Sequence, residues 1–301
     1  MNKNSEVWAG KRVYIFGAGL AGISAAENLG NEVELLGFID NDLSKHGSIQ
    51  NGVTVQSPEV LLLNQFDLVM IASEFFERIQ QQLFSDFNVP PDKICVLPAR
   101  LIKPITLGQS EKLLINTMEM LSIVTTHLNS KNLNYYVDAG TLLGIYRDKQ
   151  LIPWDDDLDI AINADDVDEV NSALKESCKK LQSHFGCQWK VDSHFSTNEF
   201  GAVSKGSIRS FKVHAVNTDV KLPMMDIFIK YVDGDTMDYV LSSRGIRMPS
   251  RHLLKTVAAK FADMTIRIPS DVEDYLTAHY GDWRTPVKDW DLSMLQNGTV
   301  F

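Results

Sequence analysis

The sequence predicts two units, an α/β unit built on a parallel sheet and, after it, an α+β unit. Residues 1–100 alternate short apolar runs with helical stretches, the pattern of βαβ units. Pro98, Pro104 and Gly108 then punctuate the chain, and the pattern beyond them changes to a long helix followed by strand-like pieces. The 301 residues suffice for two domains at roughly 100–200 residues each. The expected units are residues 1–100 and 109–301, with a linker at 101–108.

In the first unit Val13-Tyr14-Ile15-Phe16 reads as a strand, followed by a glycine-rich turn and a helix to about Leu29. Strands are expected again at 33–39, 68–72 and 94–97, with helices around 58–64 and 75–87. In the second unit Leu114, Met118, Leu121 and Leu128 recur at helical spacing, so 110–130 is an amphipathic helix. Strands at 134–138 and 156–162 precede a helix at 164–184, and strand-like pieces follow at 187–192, 208–216 and 224–232. Near the C-terminus Ser270-Asp271-Val272-Glu273 reads as a capping box and Gly281 as a helix stop.

Composition narrows the function classes. Hydrophobic residues make up 44% and charged residues 23%, as in a soluble globular protein. No run reaches about 18 consecutive apolar residues, so no membrane span is expected, leaving peripheral association as the remaining route to a membrane. The N-terminus lacks the apolar core of a secretory signal, which places the protein in the cytoplasm. Cys95, Cys178 and Cys187 are scattered and read as reduced thiols. A net charge of −10 argues against nucleic acid as a partner. It is compatible with a phosphorylated substrate if a metal ion supplies local positive charge.

The acids are unevenly placed. From Asp155 to Glu169 there are eight and no base. Asp165, Asp166, Asp168 and Glu169 lie in a helix first turn, where the dipole favours them. Asp155, Asp157 and Asp159 alternate along a strand and share a face. Clustered carboxylates repel unless a cation neutralises them, and Mg²⁺ (or Mn²⁺) suits carboxylate oxygens together with substrate phosphates. Gly140-Thr141 upstream offers close backbone approach and a hydroxyl to a phosphate. Asp226 stands alone in the apolar run Met224–Ile229, where an unpaired carboxylate is costly, so it is expected to face the same cation. Arg147 either neutralises substrate phosphate or pairs with Asp148.

Gly140-Thr141, then Asp157-x-Asp159, then Asp226 on a later strand resembles the signature of the nucleotidyltransferase fold. The string DAGTLLGIYRDKQLIPWDDDLDI at 138–160 closely resembles the LicD/fukutin family, and MDIF from Met225 and YLTAHYGDWRTP at 275–286 resemble later family blocks. Ile229 departs from the proline that many relatives carry there, but lies beyond the acid. The resemblance implies transfer of a phospho-alcohol, such as phosphocholine or ribitol phosphate, from a CDP-linked donor to a hydroxyl of a glycan or lipid-linked glycan. It implies Asp157, Asp159 and Asp226 as catalytic, metal-binding residues, decorating a surface polysaccharide or lipopolysaccharide.

Gly17-x-Gly19-x-x-Gly22 follows a strand and opens a helix, and Asp40 ends the next strand about 20 residues on. In that context the loop amides would meet phosphates and Asp40 would accept ribose hydroxyls, the arrangement of a Rossmann-like domain. The stretch GFIDNDLSKHGSIQNGVTV resembles the N-terminal domains of bacterial sugar-modifying enzymes, including PglD-like acetyltransferases and capsule-type dehydratases, which bind a nucleotide-sugar or NAD. A docking domain without ligand is the other reading. No Tyr-x-x-x-Lys occurs within 1–100, so hydride transfer is not expected. Two other functions use the same sequence features: a nucleotidylyltransferase moving NMP from an NTP, and a nucleotide-sugar-binding regulatory protein with an inactive second domain.

Overall fold

The computed structural model describes residues 8–63, 65–218 and 220–301. Residues 1–7, which bear on the expected absence of a leader, lie outside them. The chain divides into two compact units, Met1–Pro104 with Asp289–Asp291 and Ile105–Lys288 with Leu292–Phe301. Both combine helices with sheets containing parallel strands. No helix among the described residues is long and apolar enough to cross a membrane.

The first unit holds β1 (Arg12–Phe16), α1 (Leu20–Leu29), β2 (Glu34–Ile39), β3 (Ile49–Gln50), β4 (Val53–Gln56), β5 (Leu68–Ile71), α2 (Phe76–Ser85) and β6 (Ile94–Val96). Its sheet runs β3-β4-β2-β1-β5-β6, parallel except for the β3–β4 hairpin. Val13 and Ile15 pack with Ala25 and Leu29 of α1, whereas Tyr14 and Phe16 pack with Ile79 and Leu83 of α2. β1 is buried on both faces, which is why its apolar run is continuous rather than alternating. The hairpin was not expected from the sequence. It turns at Asn51-Gly52, both with positive φ (47° and 76°), the geometry of a tight two-residue hairpin. The helix expected at 58–64 is only a 3₁₀ turn, Pro58–Leu62.

The second unit opens with α3 (Glu111–Ser130), where the Ser110 hydroxyl accepts from the Leu113 amide at 3.1 Å. Then come β7 (Tyr136–Val137), α4 (Ala139–Leu143), β8 (Asp157–Asn163), α5 (Val167–Phe185), β9 (Gln188–Phe195), β10 (Ile208–Val216) and β11 (Met224–Asp233). Five further strands were not expected: β12 (Thr236–Val240), β13 (Arg244–Pro249), β14 (Thr256–Phe261), β15 (Met264–Pro269) and, after α6 (Val272–Tyr280), β16 (Gly298–Val300). β11 is the hub of an eight-stranded mixed sheet, parallel to β8 and antiparallel to β10 and β12. Ile227 and Ile229 on one of its faces are fully buried. Asp226, Phe228 and Lys230 alternate with them on the other face.

Two expectations need correcting. The segment 101–108 is not a free linker. Ala99–Ile102 forms a helical turn, with Leu101 and Ile102 packed against the first unit's core. Leu107 and Gly108 donate their amides to the carbonyls of Asp155 and Pro153, each at 2.7 Å. A Cβ on Gly108 would lie 2.7 Å from the Pro153 ring, so glycine permits this docking. Nor does Ser270 cap α6. That helix begins one residue later, with Asp271 at its N-cap, and the Asp271 carboxylate turns to His252 and Arg251 (both 2.8 Å) instead of the helix amides. Gly281 does end α6, at φ 67°.

Candidate active site

The carboxylates meet because of strand register. β8 and β11 run parallel, with Asp159 opposite Asp226 and Asp157 opposite Met224. The strand begins at Asp157, so Asp155 sits in the preceding loop rather than on the strand. It joins the group through the docking of 107–108 described above. One oxygen from each of Asp155, Asp157 and Asp159 lies within 4.8 Å of the others. Asp226 stands beside this trio on the next strand, 3.3 Å from the Lys212 ammonium.

The electrostatics are those of crowded, buried carboxylates. Burial, then the negative charges of neighbouring acids, pushes Asp157 and Asp159 well above the usual carboxylate range. Burial also raises Asp226, with Lys212 opposing it. Three hard oxygen donors within reach of one another fit a Mg²⁺-type cation, which takes carboxylate oxygens and keeps positions for phosphate and water.

Gly140 and Thr141 sit directly behind the acids. A Cβ on Gly140 would fall 2.1 Å from Asp155 Oδ2, so glycine is required for the carboxylate's approach. The Thr141 hydroxyl is buried and accepts from the Asp159 amide at 2.8 Å, tying α4 to β8. Arg147 grips Asp148 with two hydrogen bonds, at 2.8 and 2.7 Å, and also donates to the Trp283 carbonyl. Of the two readings of Arg147, pairing with Asp148 is the one this arrangement displays.

Below the acids lies a buried polar cluster that the sequence reading missed. Asp138 and Lys230, both almost fully buried, form an ion pair at 2.8 Å. Lys230 also stands 3.1 Å from the centroid of the Tyr239 ring. Tyr275 donates its hydroxyl hydrogen to Asp138 Oδ1, and the Ala139 amide donates to the same oxygen at 2.7 Å. Ala139 itself holds φ at 43°, which is strained for alanine. Asp138 thereby fixes the turn that presents Gly140 and Thr141. Burial alone would raise Asp138, but the Lys230 charge and hydrogen bonds bring it below the usual range. A signal was present: Lys230 falls four residues after Asp226 in an otherwise apolar strand, and a lysine there needs a buried acid.

His279, on α6, belongs to the same cluster. Burial pushes its imidazole down to about 4, from 6.5. Above pH 6.5 it is neutral whether folded or unfolded. As pH falls from 6.5 towards 4 only the unfolded chain takes up the proton, so stability is lost across that window, by up to about 3 kcal/mol. Urea unfolding followed across this range should therefore show a steeper acid loss in the wild type than in His279→Leu. Parallel pH curves would contradict the assignment.

In the first unit the glycines have separable roles. Gly17 has φ 112°, and a Cβ on it would lie 2.6 Å from the Ala72 carbonyl oxygen; one on Gly22 would lie 1.8 Å from the Gly17 carbonyl oxygen. Gly19, at the N-cap of α1, has open space around it. Asp40 is already engaged. It accepts from the Ala18 amide, the Lys45 ammonium (both 2.8 Å) and the Asp42 amide (2.9 Å). These bonds outweigh its partial burial and hold the carboxyl below its usual range. Asp40 therefore braces the loop, a role the sequence reading did not assign to it.

Residues 132–271 match the LicD/FKTN/FKRP nucleotidyltransferase domain, and residues 9–95 match the C2185-like N-terminal family. Ribitol-5-phosphate transferase FKTN from Homo sapiens is 26% identical over 178 residues, covering 58% of this chain and 34% of the relative. The Macaca fascicularis FKTN is 27% identical over the same length, with the same coverage. The chain thus spans about a third of the length of these curated relatives. A solved structure of ANT(2″)-Ia with adenylyl-2″-tobramycin is 14% identical, covering 60% of this chain and 83% of that one, but its TM-score of 0.32 carries no weight. Over residues 132–271 the chain is similar to the LicD/FKTN/FKRP nucleotidyltransferase domain.

Proposed function

We propose that the second unit is a metal-dependent phosphotransferase. It would move a phospho-alcohol, such as phosphocholine or ribitol phosphate, from a CDP-linked donor to a hydroxyl of a cell-surface glycan or lipopolysaccharide. The observation that carries this reading is the convergence of Asp155, Asp157 and Asp159 within 4.8 Å, with Asp226 alongside. These three carboxylates would hold Mg²⁺ or Mn²⁺. Bound there, the ion offsets negative charge on the reacting phosphate and on the leaving oxygen.

The chain's own residues do the rest. The acceptor oxygen attacks the phosphorus that bears the alcohol, and the bond from that phosphorus to the oxygen of CMP breaks. Asp226 takes the proton from the attacking hydroxyl, which suits its place beside the trio rather than within it. Gly140 and Thr141 hold Asp155 and Asp159 in place, as the domain's positioning elements. The first unit is read as a Rossmann-like domain for NAD or a nucleotide-sugar. Gly17 and Gly22 support this, as does the strand order β4-β2-β1-β5-β6, which sets the β1–α1 turn near the point where order reverses.

The test is product analysis. The full chain is incubated with Mg²⁺, a panel of CDP-alcohols and a glycan acceptor. CMP appearing with phosphorylated acceptor is the expected result. Pyrophosphate released from CTP, with no CMP from any CDP-alcohol, would replace this reading by NMP transfer. No turnover of either kind would favour a nucleotide-sugar-binding regulatory role.

A further inference from the structure

We propose that Lys212 is an anion-binding residue of this site, taking substrate phosphate oxygens that the cation does not hold, with His194 behind it. The proposal rests on the phosphotransferase reading above. Asp159 lies opposite Asp226, Asp226 opposite Lys212, and Lys212 opposite Asp192. These four side chains form one cross-strand row, because residues directly opposite in a sheet share a face. Lys212 is therefore the first cation met on moving across the sheet from the carboxylates. Its side chain is about one-third exposed (33%), and its ammonium pairs with Asp226 at 3.3 Å.

A purely structural role would have Lys212 neutralise Asp226 and nothing more. The charge balance argues for a second role. Asp155, Asp157, Asp159 and Asp226 carry four negative charges when ionised. One divalent cation and one ammonium together cancel three. A phosphate entering such a site is repelled unless a cationic group faces it directly, and a lysine is a compact charge well suited to phosphate.

A second observation extends the feature along the sheet. His194, on β9 opposite Ser210, has a buried Nε2 with no hydrogen-bond partner among the described residues. Ser210 and Lys212 share a face of β10, so His194 lies on the same face of the sheet as Lys212 and Asp226. An unpartnered imidazole nitrogen on the same face as Lys212 is placed to bond an anion that Lys212 has drawn in. The ligand class is thus a substrate with more phosphate oxygens than one cation can hold, as a diphosphate has.

The experiment uses full-length Lys212→Gln and Lys212→Arg with three readouts. Calorimetric titration with inorganic pyrophosphate in Mg²⁺ should show Lys212→Gln binding at least about 10-fold more weakly and Lys212→Arg within about 3-fold of wild type. Mn²⁺ affinity should be equal or tighter in Lys212→Gln, because a repelling charge is gone. With a CDP-alcohol donor, kcat/KM of Lys212→Gln should fall about 100-fold. Unchanged pyrophosphate binding in Lys212→Gln would overturn the proposal, as would a wild type that binds no pyrophosphate. A parallel loss of Mn²⁺ affinity would also overturn it, showing that Lys212 only positions the metal ligands. If wild type releases no CMP yet Lys212→Gln still loses pyrophosphate binding, the anion site stands and the transferase reading falls.

Discussion

Replacing Asp157 or Asp159 by Asn is expected to lower turnover by at least about 10³-fold, since charge stabilisation of a phosphoryl transition state by a held cation is worth several kcal/mol. The same substitutions should raise the melting temperature of the second unit in chelator at neutral pH. Burial and neighbouring carboxylates push both acids well above their usual range, so ionising them in the folded chain costs free energy. An amide of the same shape removes that repulsion. The two effects have opposite signs, and a general loss of structure would not give both. Steady-state release of CMP, with thermal melts in chelator, checks the pair. Near-normal turnover in either variant would remove the metal-ligand assignment.

Lys230→Met should be the most destabilising single change in the second unit. Lys230 and Asp138 are a nearly solvent-free ion pair. Removing one partner of such a pair leaves an uncompensated buried charge, at a cost of about 3–5 kcal/mol. Asp138→Asn combined with Lys230→Met should recover most of that loss, because neither charge then remains. The double variant should still turn over more slowly than wild type, since Asp138 fixes the turn bearing Gly140 and Thr141. Denaturant unfolding of the two single variants and the double gives the coupling energy. Additive losses, with no recovery in the double variant, would contradict the pair's role.

The sequence disclosed most of the first unit because its central strands are buried on both faces and read as unbroken apolar runs. β1 and β5 were visible in that way, and β2 and β6 as shorter apolar runs beside them. The β3–β4 hairpin was overlooked although Asn51-Gly52 is a strong turn signal, because its strands are only two and four residues long. Strands β12 to β16 were missed for a related reason. β14 is largely exposed, and β13 carries Arg244 and Arg247 within its apolar residues. At the site, alternation along β8 and a lone acid in β11 were enough to bring Asp157, Asp159 and Asp226 together. What alternation could not show was which loop docks on which strand. The binding of 107–108 to the Asp155 loop and the reach of Asp40 to its own glycine loop both depend on tertiary contacts.

Asp155, Asp157 and Asp159 are proposed to hold a divalent cation. Titration of the full chain with Mn²⁺, followed by electron paramagnetic resonance, tests this most directly. The wild type should bind Mn²⁺, and Asp157→Asn and Asp159→Asn should each weaken binding by at least about 10-fold. The double variant Asp165→Asn/Asp166→Asn removes acids of the same run that lie before α5, and it should bind as the wild type does. Equal weakening by Asp165→Asn/Asp166→Asn, or unchanged binding in Asp157→Asn and Asp159→Asn, would contradict the account.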